Sequence, residues 1–344
     1  MLKLPSGQVF RYTNVAAAMA VMLLIVVGIS TACNSSSDDK KKDSSSSAAE
    51  VTVSQPDETE QQQPVQGNSL TGNYKYVEYQ NGISLGNGYL VTVDEAHPFT
   101  GLPKNQVQLY GYMFDPSGAQ IMYGSSTVIE AEAEMLDMFN ELTVGFVNKT
   151  GLTSLMVYGL IPEDEGQPKT DEAFIGTCVD LMTYDQFGGY YGDFTGEGDY
   201  AWVPENCYRY GFVMRDTDRL RYVGKAVSEY IHMMNSSGNA MDLGSFMTSV
   251  KSYSFDSPLM FADEEDNEYA VYYVGVTEGS DTTSIPVPLK DNDKEYKCEI
   301  SGNNIDGYVV CVDLSSTADN TQPDDSSMEE DSEQGSPNDN FVQW

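Results

Sequence analysis

The stretch CEISGNNIDGYVVCVDL, residues 298–314, decides how this chain is read. Two runs of alternating character flank Asn303-Asn304-Ile305-Asp306, and Gly302 and Gly307 bracket that loop. Alternation with a period of two marks a strand with one buried face, and a short Asn/Gly/Asp-rich connection between two such runs predicts a hairpin. With Cys298 opposite Cys311, Ile300 falls opposite Val309 and Gly302 opposite Gly307, and the two thiols meet across the strands. The expectation is a β-rich body stapled by disulfides.

Working outward, the same alternation predicts strands at Asn73–Gln80, Gly88–Asp94, Val107–Phe114, Leu152–Ile161, Glu268–Thr277, Glu295–Ser301 and Gly307–Leu314. Asn81-Gly82 is a hairpin signal, and Asp115-Pro116-Ser117-Gly118 is a turn leading into Ala119–Tyr123. Three helices interrupt the strands. Thr127-Val128-Ile129-Glu130 has a capping-box pattern that opens an amphipathic run through Leu142. Leu220, Val223, Val227, Ile231 and Met234 recur at helical spacing, as do Leu243, Phe246, Met247 and Val250. This order predicts an α+β fold, predominantly antiparallel, as a single compact domain over residues 70–314.

The N-terminus carries an address. Lys3 and Arg11 precede an apolar run from Val15 to Ala32, and Cys33 follows at once. A basic region, an apolar region and small residues before a cleavage point describe a signal peptide over 1–32. Thr31-Ala32-Cys33 resembles the lipobox of bacterial lipoproteins, although Ser30 stands where a Leu is usual. That resemblance implies lipidation of Cys33 and anchoring to a membrane. Asn34, being other than Asp, implies sorting to the outer membrane, facing either the periplasm or the cell surface. A retained signal anchor and ordinary cleavage to a secreted protein are the alternatives.

Residues 33–69 are dominated by Ser, Gln, Asp and Pro with no apolar period, so they read as a disordered tether reaching about 30–36 Å. Residues 315–344 read as an acidic disordered tail.

Charge narrows the function. The chain holds 53 acidic and 18 basic side chains, a net −35, which excludes a general nucleic-acid binder. Such acidity also suits a solvated surface and demands no cationic partner. Only two histidines occur, His97 and His232, so a multi-histidine metal site is not expected.

Cys178, Cys207, Cys298 and Cys311 make an even set in an exported chain, and proximity favours the pairs Cys178–Cys207 and Cys298–Cys311. The first would close a 28-residue loop with six acids, five glycines and seven aromatics. Within it Asp193, Thr195, Glu197 and Asp199 alternate, a pattern of oxygen ligands that suits calcium, except that Pro204 stands where a bidentate Glu belongs. Aromatics beside carboxylates also suit a glycan or protein partner. The plain alternative is a packed loop with its acids in water. Four of the five arginines, Arg209, Arg215, Arg219 and Arg221, follow the loop; they suit an anionic ligand or, more simply, pairing with nearby acids.

No nucleophile elbow, metallopeptidase helix or phosphate loop is present. The sequence therefore predicts a membrane-anchored envelope lipoprotein acting as a binding or structural module. No catalytic residue is nominated, and no cofactor beyond a possible calcium ion. The alternative is a secreted carboxylate-dependent hydrolase acting on glycans, which needs only two acids. Replacing Cys33 with Ser is expected to move the full chain from the membrane to the soluble fraction, read by fractionation and immunoblot; retention on the membrane identifies a signal anchor instead.

Overall fold

The computed structural model describes Leu70 and residues 72–101, 105–126, 129–159, 168–290 and 293–317. The signal peptide, Cys33, the tether, the tail beyond Thr317 and the first half of the Thr127–Glu130 capping box lie outside the described residues. The fold is α+β with mostly antiparallel strands, as the alternation predicts.

Strands β10 (Leu259–Ala262), β11 (Glu268–Gly275), β13 (Tyr296–Gly302) and β14 (Gly307–Thr317) form an antiparallel sheet in the order β10-β11-β14-β13. Alternation along β14 sorts its side chains into two cores. Val309 and Cys311 face one side with Val271, Leu259 and Phe261, under helices α2 (Lys225–Ser236) and α3 (Leu243–Ser249). Tyr308, Val310 and Val312 face the other with Tyr272, under a ribbon of β1 (Tyr74–Gln80) and β12 (Thr282–Pro288). Both faces are covered, so the sheet buries apolar surface on each side at about 25 cal/mol per Å².

A second sheet runs β3-β5-β6-β9-β8, with β7 beside β6. Its members are β3 (Tyr123–Gly124), β5 (Leu155–Gly159), β6 (Cys178–Asp185), β7 (Tyr190–Asp193), β8 (Phe212–Met214) and β9 (Arg219–Tyr222). Only β3–β5 is parallel. Helix α1 (Ala133–Thr150) covers it with Met135, Leu136, Phe139, Leu142 and Phe146, at helical spacing and fully buried. Short strands β2 (Gln106–Gln108) and β4 (Glu130–Glu132) pair just before α1.

Several expectations are corrected. The β13–β14 register places Cys298 opposite Val312 and Glu299 opposite Cys311, one residue from the predicted pairing. A one-residue slip exchanges faces, so Cys298 packs beside the β1–β12 ribbon and Cys311 beneath the helices. The cause is the turn. The Asn303 side-chain oxygen accepts from the N–H groups of Ile305, Asp306 and Gly307 at 2.9, 2.9 and 3.0 Å, which holds a longer loop than a four-residue hairpin needs. Cys178 and Cys207 are likewise separate buried thiols, so the four cysteines are free and the body is not disulfide-stapled. Burial pushes the thiols of Cys178, Cys207 and Cys298 up to about 12.

Asn81-Gly82 is no hairpin turn. Residues Asn81–Ser84 form one helical turn, and Asn81 Oδ1 accepts from Thr283 Oγ1 at 2.8 Å and from the Tyr308 hydroxyl at 3.1 Å. Helix α1 starts at Ala133, capped by Glu132, whose carboxylate accepts from Met135 N at 2.9 Å; Glu130–Glu132 is strand instead. The second predicted helix is split, because Leu220 belongs to β9 and α2 begins only after Gly224. Gly88–Asp94 is not a strand, and of Val107–Phe114 only the first residues are.

Alkylation without reductant, followed by mass spectrometry, is expected to label all four body cysteines after denaturation and little in the native state. Reductant should leave the melting temperature unchanged.

Candidate functional site

The Asn303 turn positions more than a hairpin. Asn304 Nδ2 donates to the carbonyls of Thr92, His97 and Pro98 at 3.1, 3.2 and 3.3 Å, and Thr92 N donates to Asn303 O at 3.1 Å. Ser301 Oγ accepts from Leu90 N at 2.8 Å. These bonds hold the irregular segment 88–99 across the face of β13 and bring Tyr89 and Leu90 over Glu299.

A cavity of about 180 Å³ results, lined by Tyr89, Leu90, Glu134, Val223, Glu299 and Ser301. Glu299 comes from β13 and Glu134 from the first turn of α1. The Glu299 carboxyl faces this cavity rather than open solvent, beside the Gly224 backbone, where a Cβ would stand 2.6 Å from its Oε2. Gly224 also sits at φ +81°, a conformation that L side chains avoid. Burial, then the nearby negative charge of Glu134, pushes the Glu299 carboxyl up to about 7. Glu134 accepts from the Tyr89 hydroxyl through a short hydrogen bond, and from the Tyr222 hydroxyl at 3.4 Å. The two rings meet edge-on with centroids 4.7 Å apart. Burial and the Glu134 contact raise the Tyr89 phenol far above its ordinary value, so it stays a donor. The cavity thus holds one carboxyl that keeps a proton near neutrality and one that collects hydrogen-bond donors, the division of labour acid–base chemistry requires.

A second polar centre lies on β6 and β9. Arg219 stands directly opposite Asp180 and Arg221 opposite Cys178. Arg219 donates to both oxygens of Asp180, at 2.6 and 3.0 Å, and to Asp171 at 2.9 Å. Arg221 is 3% exposed and donates to Glu172 at 2.6 Å and to the carbonyls of Val91 and Tyr89 at 2.6 and 3.1 Å. Burial acts to raise the Glu172 carboxyl, but Arg221 and Arg215 outweigh it and hold it below the usual range.

The residues singled out from sequence lie elsewhere. Asp193 ends β7, Asp199 sits in the short helical turn Gly198–Ala201, and Asp193, Thr195, Glu197 and Asp199 are all exposed. The loop is anchored instead by Phe194, Tyr200 and Trp202, which pack toward α1. Among the described residues no group of three or more His, Cys, Asp or Glu is placed to hold a metal ion. His97 bonds Asp94 at 3.0 Å, and His232 stacks on Tyr208 with centroids 3.4 Å apart. Arg219 and Arg221 lie on β9, where Arg219 pairs with Asp180 of the acidic loop and with Asp171, and Arg221 pairs with Glu172. Glu134 and Glu299 went unnoticed among so many acids; the one local signal was an acid in the otherwise half-buried strand Tyr296–Gly302.

Comparison with known proteins bears on the class. The chain is 28% identical over 134 residues to a D-alanyl-D-alanine carboxypeptidase from Enterococcus faecium, spanning 35% of this chain and 39% of that protein. Its fold resembles that of the vancomycin-resistance D,D-dipeptidase VanXYg, solved with a D-Ala-D-Ala phosphinate analogue, with a TM-score of 0.54 at 20% identity over 70% of this chain and 99% of that one. A weaker likeness, TM-score 0.38 at 18% identity over 48% of this chain and 88% of the other, is to the LdcB LD-carboxypeptidase. No family model matches the chain. The matched sequence and the shared fold are those of peptidases, which overturns the expectation of a binding or structural module.

The cavity makes a pH prediction. The Glu299 carboxyl titrates near 7 in the folded chain against an ordinary 4.5, so the folded state holds the extra proton between those values. Stability should therefore fall as pH rises through that window. Glu299→Gln is expected to flatten the decline in melting temperature between pH 5 and pH 8, leaving the part due to Glu229, which burial also raises to about 7.

Proposed function

We propose that the protein is a cell-envelope hydrolase acting on peptides that end in D-alanine, with Glu299 and Glu134 as its acid–base pair. The observation that carries this reading is the pair itself: two carboxyls lining one cavity, with Glu299 pushed up to about 7. The peptidase relative and the peptidase fold supply the class of bond, and they move the substrate from glycan to peptide. An envelope location agrees with the signal peptide expected over 1–32, and we place the lipid anchor on Cys33 as part of the same proposal. Among the described residues no helix is long and apolar enough to cross a membrane.

The chemistry follows from the two environments. Glu134, as carboxylate, takes a proton from a water in the cavity, and the resulting hydroxide attacks the peptide carbonyl. Glu299, as carboxylic acid, gives its proton to the departing amine as the C–N bond breaks. The product acid and amine leave with Glu134 protonated and Glu299 ionised, and a proton exchange through solvent restores both. The Tyr89 and Tyr222 hydroxyls keep the Glu134 carboxylate oriented. Leu90, Val223 and Val309 supply the apolar walls that keep the Glu299 proton in place near neutral pH.

The test is release of free D-alanine from a diacetyl-Lys-D-Ala-D-Ala peptide by the full chain. Turnover is expected, and Glu299→Gln should lower it on the order of 10²–10⁴-fold without lowering the melting temperature at pH 7. Turnover by the parent that survives in both Glu299→Gln and Glu134→Gln would remove these residues from the reaction. Absence of turnover on peptides ending in D-alanine would end the proposal.

A further inference from the structure

Peptide hydrolysis needs an activated water, and besides an acid–base pair the usual means is a divalent metal held by three or four side chains with an open position. One place in the described residues where carboxylates from separate elements converge is the centre on β6 and β9. Asp171 caps the short helical turn Glu172–Ile175, with its Oδ1 accepting from Ala173 N at 2.8 Å. Asp180 lies on β6. Both carboxylates point at one spot, and the guanidinium of Arg219 fills it.

The donor set therefore does not fit a metal. Both Asp180 oxygens and one Asp171 oxygen are taken by three different nitrogens of Arg219, at 2.6, 3.0 and 2.9 Å. The third acid of the cluster, Glu172, is held by Arg221 at 2.6 Å and by Arg215 at 2.9 Å. No histidine reaches the cluster, since the two in the chain are engaged with Asp94 and Tyr208. A guanidinium is always charged, and its planar fork matches a carboxylate edge on both oxygens. A metal ion would have to break all three Arg219 contacts and would then find carboxylates alone. Arg219 comes from the strand paired with β6, directly opposite Asp180, so the backbone ladder itself delivers the guanidinium to this position.

We infer that Arg219 is a built-in cation standing where a divalent metal would otherwise bridge Asp171 and Asp180, so that this peptidase-like fold has a metal-free centre. The inference is independent of the Glu134–Glu299 reading, because it concerns metal binding and not turnover. It also carries a structural corollary. Replacing Arg219 with His would put an imidazole beside two released carboxylates, three donors of the kinds that first-row metals accept.

The test uses the full chain, CoCl₂ as the probe and two readouts, visible absorption and melting temperature. The parent is expected to give no cobalt d–d band and no metal-dependent shift in melting temperature, and to carry no stoichiometric metal by mass spectrometry after purification. Arg219→His should gain a cobalt band and bind at least tenfold tighter than the parent. Both gains should vanish in Arg219→His/Asp180→Asn. Arg219→Lys keeps the charge and reports whether the site folds without the fork; it should remain metal-free. A parent that holds one metal per chain, lost in Asp180→Asn, would overturn the inference. So would a folded Arg219→His that binds cobalt no better than the parent.

Discussion

One side chain sets the register on which the cavity depends. The Asn303 amide oxygen gathers three consecutive N–H groups, and its Nδ2 donates to Asp306 Oδ1 at 2.8 Å. Asp306 in turn receives Lys251 Nζ at 2.7 Å and the Tyr273 hydroxyl at 2.7 Å, tying the turn to the short helical turn Val250–Ser252 after α3 and to β11. The turn length fixes which residue of β13 meets which residue of β14, and a sheet buried on both faces tolerates no slip. With this register Glu299 and Ser301 share the helix-side face, Ser301 captures Leu90, and the segment carrying Tyr89 closes the cavity. Asp306 is held well below its ordinary range, at about 2, by these donors against the opposing effect of burial, so the anchor stays charged through the neutral range.

Legibility in the sequence followed periodicity. Strands β1, β5, β11, β13 and β14 and helix α3 were readable because their side chains alternate or recur with a clear period over one element. The misreadings came where one period ran across a boundary. Leu220, Val223 and Val227 keep helical spacing, yet β9 ends at Tyr222 and α2 begins at Lys225. Gly224 makes the break, since its positive φ is one that L side chains rarely adopt and a Cβ there would meet the Glu299 carboxyl. The segment Gly88–Asp94 is apolar enough to read as a strand but finds no ladder. The carbonyls of Tyr89 and Val91 are satisfied by Arg221 and that of Thr92 by Asn304, while the N–H groups of Leu90 and Thr92 go to Ser301 and the Asn303 carbonyl. Such pairing between distant segments leaves no local trace.

The candidate site was hidden for a different reason. In a chain with 53 acids, no particular carboxylate draws notice, and what distinguishes Glu299 is its surroundings. Cations were the rarer and more telling residues. Three of the five arginines converge on Asp171, Glu172 and Asp180, where the sequence offered either an anionic ligand or pairing with nearby acids. Within the cluster the buried pair Arg221–Glu172 contributes little net stability compared with an apolar core, but losing one partner is severe because it strands the other charge. The arginine cluster is therefore best understood as fixing the relative positions of β6, β9 and the turn before β6.

The β1–β12 ribbon has a consequence for how the chain comes together. Its two strands lie about two hundred residues apart, with Asn81 and Thr283 separated by 202 positions. Closing so long a loop precedes any reward from the contacts it creates, which slows folding. During synthesis β1 emerges early and waits for β12, and the central sheet that this ribbon covers is complete only once β13 and β14 have followed. That interval exposes a tyrosine-rich strand with both edges open, the kind of surface on which chains join one another. The wait of β1 for its distant partners is thus the interval in which a holding chaperone would matter most.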